Sequence, residues 1–471
     1  MNLRNGLLLL TGLAVTFLAF PNSHLQFGLL GWVCLVPLFL VTNTASSLKD
    51  RWILSWVFFQ TVFLILCYPG ALPLREGSST GIIIIWIFIF GFPLLCSTAW
   101  SFMGHIFSKT MTPVRILGTG VAWALFESLL ASIPAGFPIS LAITQQQFPS
   151  LLSICSWFGS TSLSALLIIS NGAIAQSLQV KSPACLSLPL GCMALAALPG
   201  ILTPTPKPET SINIAMVQPY IPWRTAYYAK NSSFLTNELL SHLTQLSSVA
   251  PGRPPSDILF WPELSTFTFD LRSRITQKYL NPVLNTHQVL VTGQNLHGNN
   301  VAVAIGKGPQ ILDAVTKSHP IPGFEPSQIQ TANIRPLRTD QGELGTMLCY
   351  DVLFPKPSQE LVHSKAKILV GLAFTTWLGK SHWPVLHAAY APIRATESGR
   401  AFVFLNNHGP STISDATGKR LSKIGFGKTA SIQATIPVYS HLTPYSRFGR
   451  WMTSLYVLLL GLLSFWRPIK I

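Results

Sequence analysis

The chain has 471 residues, of which 49% are hydrophobic and only 10% are charged, whereas an ordinary soluble protein carries about 25% charged residues. This composition excludes a wholly soluble protein and indicates a membrane protein with a soluble part. The formal net charge of +16 suits a neighbour that bears phosphate groups, and an anionic lipid surface is the obvious one. Nucleic acid is not expected as a partner, because no nucleic-acid-binding motif accompanies the positive charge.

Long apolar segments dominate the first two hundred residues, and most reach the about 20 residues that a helix needs to cross a bilayer. We expect an N-terminal membrane bundle over residues 1–203 and a C-terminal membrane helix with a short tail over residues 451–471. The polytopic helical bundle would have about eight spans, at residues 5–20, 25–43, 52–70, 81–104, 114–133, 150–175, 184–202 and 451–466.

The basic residues of the short loops predict an orientation for these spans. If the N-terminus is cytoplasmic, the opposite side receives only Arg75, beside Glu76, in its short loops. The cytoplasmic side then receives Arg4, Lys49, Arg51, Lys109, Arg115, Lys181, Arg467 and Lys470. By the positive-inside rule, both termini are cytoplasmic and residues 204–450 lie on the outer face. In a bacterium this would be the periplasmic side of the inner membrane.

Residues 204–450 have no comparable apolar run, and short apolar strands alternate there with segments of helical spacing. Helices are predicted over residues 237–249 and 383–398. Strands are predicted at residues 212–218, 258–261, 288–292, 301–305, 344–348, 368–373 and 401–405. Such alternation, with hairpin-like pairs, predicts an α/β sandwich domain.

A cysteine stands where one of these strands ends. Leu344 to Leu348 form a short apolar run, and the chain then turns at Cys349. A thiol held at the end of a strand can reach a substrate, and nearby backbone N–H groups can stabilise its nucleophilic thiolate form. The alternative is a buried cysteine that serves as a small hydrophobic residue. Cys349 is the only cysteine of residues 204–450. A lone thiol in an oxidising compartment is better explained as a functional group than as a buried hydrophobic residue.

Two residues could act with this thiol, although each of them alone is more simply explained as a solvent-exposed side chain. Glu263 follows a strand and Pro262, and its carboxylate could take the proton of the thiol. Lys317 ends another predicted strand, and its ammonium group could stabilise a thiolate and a developing oxyanion. The eleven histidines show no spacing typical of metal ligands, so no metal and no cofactor are expected.

These motifs resemble the nitrilase superfamily of carbon–nitrogen hydrolases, whose catalytic triad is Glu, Lys and Cys. Here WPEL contains Glu263, Lys317 precedes HPIPGFE, and LCYDVLFP contains Cys349, in the superfamily's order. The spans on either side of such a domain resemble the bacterial apolipoprotein N-acyltransferases, a membrane-embedded branch. The resemblance implies an αββα sandwich with Glu263 as proton acceptor, Lys317 as stabiliser of thiolate and oxyanion, and Cys349 as nucleophile.

The resemblance also implies supporting roles for neighbouring residues. Glu325 matches the second glutamate near the lysine, Tyr350 would supply a backbone N–H for the oxyanion, and Asp351 stands where the family commonly has glutamate. Three aromatic residues could line the entrance to the active site for acyl chains, or could equally pack inside the domain: Phe267, Phe269 and Trp377.

The function implied by the resemblance is that of a phospholipid:apolipoprotein N-acyltransferase, the last enzyme of lipoprotein maturation. An acyl chain would pass from a phospholipid, with phosphatidylethanolamine as the expected donor, to a thioester on Cys349. It would then pass to the α-amine of the N-terminal diacylglyceryl cysteine of an apolipoprotein. A membrane-tethered nitrilase or amidase acting on a small amide remains open. A scaffold without activity is also open, because Thr375, Pro392 and His408 depart from the family's usual residues.

A transporter is disfavoured because the spans carry few ionisable residues besides Glu127. Glu127 itself lies inside a predicted span, where a carboxylate facing lipid would be costly. We therefore expect it to face the interior of the bundle, in a structural hydrogen bond. Gly136 to Pro138 are expected to end that helix.

Overall fold

The computed structural model describes residues 3–71, 79–107, 112–133, 139–183, 187–204, 206–248, 254–266, 270–322, 325, 334–379 and 381–465. It divides into two compact units. The first unit comprises Met1–Thr205, Ser381–Leu386 and Thr443–Ile471, and the second comprises Pro206–Lys380 and His387–Leu442.

The helices and strands are numbered here in chain order. The helices are α1 (Leu3–Ala19), α2 (Val36–Asn43), α3 (Leu48–Ala71), α4 (Ser79–Ile106), α5 (Thr112–Ser132), α6 (Pro149–Leu152), α7 (Cys155–Phe158), α8 (Ser160–Val180), α9 (Ser187–Leu202), α10 (Trp223–Ala229), α11 (Ser233–Leu246), α12 (Arg274–Thr286), α13 (Pro355–His363), α14 (Trp383–Ala388), α15 (Tyr390–Ser398), α16 (Pro444–Phe448) and α17 (Met452–Phe465). The strands are β1 (Thr210–Gln218), β2 (Ile258–Glu263), β3 (Val289–Leu296), β4 (Asn299–Gly306), β5 (Gln310–Thr316), β6 (Leu337–Thr339), β7 (Gly342–Leu348), β8 (Ile368–Ala373), β9 (Ala401–Asn406), β10 (Ser411–Ser414), β11 (Arg420–Ile424) and β12 (Ala430–Val438).

The first unit is helical and carries the apolar segments. Among the described residues, three helices are long and apolar enough to cross a bilayer, namely Trp86–Ile106, Pro113–Ser132 and Ser160–Val180. Further apolar helices, such as Leu3–Ala19 and Ser187–Leu202, are shorter. The predicted membrane character agrees with these helices, whereas the predicted number of about eight spans is not confirmed.

The segment 25–43, predicted to be one span, is not one continuous helix. Residues Gly28–Trp32 form a 3₁₀ turn, and α2 begins only at Val36. Side-chain amides from elsewhere bind the carbonyl oxygens of this irregular stretch. The Gln145 amide donates to Gly28 O at 2.6 Å, and the Asn171 amide donates to Gly31 O at 3.0 Å. Irregular backbone is tolerated at membrane depth only where protein groups satisfy it in this way.

The segment 150–175 is also broken, because the long helix α8 starts only at Ser160. Gly159 separates it from the short helix α7 with φ of +79°, a conformation that glycine adopts without steric cost. A Cβ atom added at Gly159 would lie 2.4 Å from the Tyr445 ring, so this position also requires a residue without a side chain.

Glu127 has the structural role expected from the sequence. Its carboxylate accepts hydrogen bonds from Trp123 Nε1 at 2.9 Å, Ser140 Oγ at 2.9 Å and Leu141 N at 3.0 Å. These contacts tie α5 to the stretch that follows it. The predicted end of this helix at residues 136–138 lies outside the described residues.

The second unit is built on two six-stranded sheets. The first sheet has the strand order β12-β1-β2-β3-β4-β5, and the second has the order β11-β10-β9-β8-β7-β6. Strands β1 to β3 run parallel, as do β7 to β9, and the outer pairs are antiparallel. Parallel sheets occur with both faces covered, and helices α11 and α12 lie over the first sheet while α13 and α15 lie over the second.

The alternation of side chains along β2 shows why these strands are apolar throughout. Ile258 and Phe260 point into the core between the two sheets, whereas Leu259 and Trp261 pack under the helices. Successive side chains of a strand point to opposite faces. Where both faces of a strand are covered, as along Ile258 to Trp261, every side chain is therefore apolar. The prediction of an α/β domain with two sheets is confirmed, and each of the seven predicted strands overlaps an observed one.

One predicted helix of this region is wrong in detail. Residues 383–398 form two helices, α14 and α15, rather than one. The first unit includes Ser381–Leu386, and the second unit resumes at His387. The division of the chain thus passes through α14.

Candidate active site

Glu263 is the last residue of β2, and a glycine on the neighbouring strand makes room for it. The pairing of β2 with β3 shifts between Phe260 and Glu263, and Glu263 then lies opposite Gly293. A Cβ atom added at Gly293 would lie 2.7 Å from the Cα atom of Glu263, which is too close for any side chain. The carboxylate is buried, with 2% of the residue exposed.

Lys317 directly follows β5 and brings its ammonium group to this carboxylate. Its backbone N–H donates to Asn300 O at 2.9 Å, which extends the pairing of β5 with β4 by one residue. Its Nζ atom lies 3.3 Å from Glu263 Oε1 and 2.8 Å from Glu325 Oε1. Glu325 is held in turn by the backbone N–H of Ile321, at 2.6 Å. One buried cation is therefore shared by two carboxylates.

Asn300 also joins the two carboxylates, and the sequence analysis missed it. Its Nδ2 atom donates to Glu263 Oε1 at 2.5 Å and to Glu325 Oε1 at 3.0 Å. Because Asn300 lies in β4, its place beside the site follows from strand pairing. The only signal in the sequence is that a polar pair, Asn299-Asn300, opens an otherwise apolar strand.

Cys349 follows β7 in an unusual backbone conformation. Its φ of +44° is uncommon for a residue other than glycine, and such conformations cluster at functional sites. The His387 ring contacts Cys349 O through Nε2 at 2.8 Å. Burial lowers the pKa of His387 to about 4, so its ring is neutral at pH 7. A neutral ring can donate its Nε2–H to this carbonyl oxygen.

The three predicted triad residues are brought into one buried cluster. The thiol of Cys349 interacts electrostatically with Glu263, Lys317 and Glu325, and a backbone hydrogen bond from Phe374 favours its thiolate. Burial, together with the charge of Glu263, nevertheless raises the pKa of the Cys349 thiol well above its ordinary value. The resting thiol is therefore protonated.

The same burial moves the pKa of Glu263 toward neutrality. Burial raises its pKa, the charge of Lys317 lowers it and the charge of Glu325 raises it, so that the pKa of Glu263 is about 7. For Lys317, burial alone lowers the pKa, but the surrounding negative charges raise it well above its ordinary value. The lysine thus stays cationic, while Glu263 can hold or release a proton near neutral pH.

Asp351 ties the turn at Cys349 to the segment after Lys317. Its carboxylate accepts from Leu348 N at 3.0 Å, from Ser318 N at 3.3 Å and Oγ at 2.7 Å, and from His319 N at 2.6 Å. Burial raises the pKa of Asp351, but the hydrogen bonding and charge of His319, with the charge of Lys317, lower it below its ordinary value. Asp351 therefore stays ionised as a structural clamp.

Helix α15 supports the turn from its other side. Arg394, which is 2% exposed, donates from Nε to Val352 O at 3.0 Å and from Nη2 to Leu353 O at 2.6 Å. Its charge is balanced by a buried ion pair with Glu397. Pro392 lies in the first turn of this helix, where the missing N–H would have no partner within the helix. The departure at Pro392 is therefore compatible with the fold.

Other predicted site residues are placed as follows. Tyr350 is buried and directly follows Cys349 in the chain. Trp377 is partly buried and packs, near Phe374, against the core beneath the helices of the first sheet. Phe267 and Phe269 lie outside the described residues. Among the described residues no group of three or more His, Cys, Asp and Glu side chains could hold a metal ion.

Two family models and several curated proteins match most of this chain. Residues 12–173 match the apolipoprotein N-acyltransferase N-terminal domain, and residues 213–441 match the carbon-nitrogen hydrolase family. An apolipoprotein N-acyltransferase of Vibrio vulnificus is 23% identical over 96% of this chain and 95% of its own length. The chain is therefore similar to apolipoprotein N-acyltransferases over almost its whole length.

Other apolipoprotein N-acyltransferases align less completely. The protein of Geobacter metallireducens is 23% identical over 90% of this chain and 81% of its own length. Among solved structures, a carbon-nitrogen hydrolase of Helicobacter pylori aligns with a TM-score of 0.35 and 16% identity, covering 55% of this chain and 96% of its own. Every residue of the site described above lies in the second unit. The match to the carbon-nitrogen hydrolase family model, over residues 213–441, includes all of them.

Proposed function

We propose that the chain is a phospholipid:apolipoprotein N-acyltransferase that works through a thioester on Cys349. One observation carries this proposal: a buried thiol lies with a carboxylate of pKa about 7 and a cationic lysine. The relatives named apolipoprotein N-acyltransferase, which align over almost the whole chain, supply the substrate classes. Glu263, Lys317 and Cys349 act as base, oxyanion stabiliser and nucleophile.

In the first half-reaction the ionised Glu263 takes the proton of the Cys349 thiol as the sulfur attacks an ester carbonyl of a phospholipid. Proton transfer accompanies attack because the free thiolate is disfavoured in this buried site. Lys317 Nζ and the backbone N–H of Tyr350 stabilise the oxyanion. As the tetrahedral intermediate collapses, the C–O bond of the ester breaks, the lysophospholipid alkoxide takes the proton from Glu263, and the acyl chain remains on sulfur.

In the second half-reaction the free α-amine of the diacylglyceryl cysteine attacks the thioester. Glu263 accepts a proton from the attacking nitrogen and returns one to the departing sulfur, which regenerates the Cys349 thiol. The C–S bond breaks as the amide bond forms. Both substrates use one nucleophile in turn, so ping-pong kinetics are expected.

The proposed setting is a bacterial inner membrane, with the second unit on the periplasmic side and both termini in the cytoplasm. The distribution of basic loop residues supports this orientation. Both substrates are lipids, so a catalytic unit held at the bilayer surface meets them at high local concentration. Phosphatidylethanolamine is the proposed acyl donor, and a diacylglyceryl apolipoprotein is the acceptor.

The test is the intact mass of the purified full-length protein after incubation with phosphatidylethanolamine. We expect wild type to gain the mass of one acyl chain, and hydroxylamine to remove it, because hydroxylamine cleaves thioesters. A Cys349→Ala variant should gain no mass.

A second step tests the acceptor. Adding a diacylglyceryl peptide with a free α-amine to the acylated protein should discharge the thioester and yield an N-acylated peptide. If the protein gains no hydroxylamine-sensitive mass from accessible phospholipid, the acyltransferase proposal is wrong. If it releases ammonia from small amides instead, the amidase alternative is supported.

A further inference from the structure

Two arginines of the first unit line one cavity at the ends of several helices. The cavity has a volume of about 50 Å³ and is lined by residues that include Thr42, Asn43, Arg51, Trp100, Arg115 and Gln176. One water needs about 10–15 Å³ on the same volume scale, so the cavity has room for roughly three to five waters. The four oxygens of a phosphate group need a comparable space.

Both guanidinium groups line this cavity, and no carboxylate of the described residues lines it with them. Arg51 and Arg115 are close enough to repel each other electrostatically. Every ion pair between described residues lies in the second unit. Two cations that share a cavity without a counter-ion favour the binding of an anion there.

The acidic residues near these helices are used elsewhere. The chain before residue 204 contains only Asp50, Glu76 and Glu127 as acidic residues, and Glu76 lies outside the described part. Asp50 accepts hydrogen bonds from the hydroxyl groups of Ser46 and Ser47, each at 2.7 Å. Glu127 is bound by the three donors described above.

Neighbouring groups orient the arginines toward the cavity. Arg51 donates through Nε to Thr42 O at 3.2 Å, and its Nη1 atom packs so close to Gly104 that a Cβ there would lie 2.5 Å away. Arg115 donates through Nη2 to Gln176 Oε1 at 2.8 Å. Each side chain is therefore held in place by a neutral acceptor, and no carboxylate of the described part of the chain pairs with either arginine.

The cavity lies at one end of the helices that form it. Arg51 and Arg115 belong to the first turns of α3 and α5, while Gly104 and Gln176 belong to the last turns of α4 and α8. Three of these helices contain segments long and apolar enough to span a bilayer from this end, namely Trp86–Ile106, Pro113–Ser132 and Ser160–Val180. The cavity thus opens where apolar helix gives way to polar loop, the depth at which lipid phosphates lie.

We propose that this cavity binds the phosphate group of an anionic molecule, such as the headgroup of an anionic phospholipid. Arginine suits phosphate because its planar fork can donate two parallel hydrogen bonds to phosphate oxygens. Basic pockets between membrane helices bind anionic headgroups in this way. The cavity uses no residue of the Cys349 site, so this proposal holds or fails independently of the acyltransferase proposal.

The experiment uses the full-length protein in detergent and an ether-linked phosphatidylglycerol, which has no ester for the Cys349 site to cleave. The arginine reagent phenylglyoxal is applied, and modification of Arg51 and Arg115 is measured from peptide masses. We expect the phosphatidylglycerol to protect both arginines, and a dialkylglycerol of the same chain length, which lacks phosphate, to protect neither. Equal protection by the two lipids, or protection by neither lipid nor inorganic phosphate, would overturn the proposal.

A phosphate group in this cavity could belong to a lipid headgroup or to a free anion, and a measurement with inorganic phosphate alone distinguishes the two. Protection by the phospholipid but not by inorganic phosphate identifies a lipid site. Protection by inorganic phosphate at a similar concentration identifies a site for free phosphate-bearing anions. Both outcomes support phosphate recognition.

Matched variants test the two arginines directly. The double variant Arg51→Gln with Arg115→Gln removes two charges from the cavity, and the control Lys49→Gln with Lys181→Gln removes two exposed charges at the adjoining ends of α3 and α8. With thermal unfolding followed during a phosphatidylglycerol titration, we expect binding on the order of 30-fold weaker in the arginine variant and little changed in the control.

Equal weakening in the two double variants would mean that only surface charge matters, and would contradict the proposal. If the arginine variant fails to fold, the phenylglyoxal protection of the native protein decides the question, since it needs no substitution.

Discussion

Two buried carboxylates of the same site, Glu263 and Asp351, behave in opposite ways. Glu263 and Asp351 are 2% and 3% exposed, so burial raises the pKa of both. Glu263 shares one cation with Glu325 and has a pKa of about 7. For Asp351, the hydrogen bonding and charge of His319, with the charge of Lys317, lower the pKa below the ordinary value. Its carboxylate also accepts four hydrogen bonds from backbone and hydroxyl donors.

This contrast shows that the charges and hydrogen-bond donors around a buried carboxylate decide its protonation. Hydrogen bonds to the charged form stabilise that form, whereas a second carboxylate nearby favours the protonated one. Glu263 therefore suits proton transfer, and Asp351 suits a permanent structural contact. Both lie within the network around Cys349, so substitutions in each should give different kinds of defect.

The largest effect is expected for Glu263→Gln, which keeps the shape of the side chain but removes the base. Formation of the acyl-enzyme should slow by about 10²–10⁴-fold, as measured by intact mass over time. The thermal unfolding midpoint should change little, because Gln can retain part of the hydrogen bonding to Lys317. The control Glu238→Gln, on the exposed face of α11, should acylate at the wild-type rate. A Glu263→Gln variant as fast as wild type would contradict a role as base.

An intermediate effect is expected for Asp351→Asn, as a loss of stability. The amide group would face the N–H donors of Leu348 and Ser318, leaving donors unpaired and costing about 1–3 kcal/mol of unfolding free energy. The unfolding midpoint should fall by several degrees, while the exposed control Asp340→Asn should leave it unchanged. An equal fall in both variants would show that loss of charge, rather than loss of the clamp, is responsible.

The pH dependence of this defect has a definite sign. The pKa of Asp351 is lowered by folding, so its contribution to stability is present above its ordinary pKa and is lost as pH falls through the folded value. The difference between wild type and Asp351→Asn should thus be constant near neutral pH and shrink in acid.

The smallest effect is expected for Glu325→Gln, as a displacement of the pH profile. The acylation rate of wild type should rise with pH through about 7 as Glu263 loses its proton. The charge of Glu325 raises the pKa of Glu263, so removing it should move this rise to lower pH. The measurement is the rate of thioester formation across pH 5 to 9. A profile that moves to higher pH would contradict the arrangement of charges described above.

Many strands of the second unit could be predicted from the sequence, because local patterns of apolar residues determine where they form. Strands buried on both faces need continuous apolar runs, and such runs predicted the positions of β2, β7 and β8. They therefore also indicated which residues stand at the ends of these strands. Functional side chains at the ends of strands are therefore visible in sequence, which is how Glu263 and Cys349 were found. Their order along the chain, with Lys317 between them, indicated the nitrilase superfamily, and residues 213–441 match the carbon-nitrogen hydrolase model.

Other features depend on contacts between residues far apart in the chain. Asn300 reaches Glu263 only because β4 pairs with β5 and β3, and Gly293 matters only because Glu263 packs directly against it. The breaks at residues 28–35 and at Gly159 escape a reading of hydropathy, because an apolar segment has the same composition whether or not it is one helix. Side-chain amides from distant segments make the first break possible.

The sequence by itself determined the apolar segments, the positions of the strands and the identities of the reactive residues, since these follow from side-chain chemistry and local period. Tertiary structure alone decided the pKa of Glu263, the clamp formed by Asp351 and the meeting of Arg51 with Arg115. Each of these depends on burial and on distances of a few ångströms between atoms that the chain separates by tens of residues. Electrostatic energy depends on distance and dielectric surroundings, and neither is encoded in a local pattern.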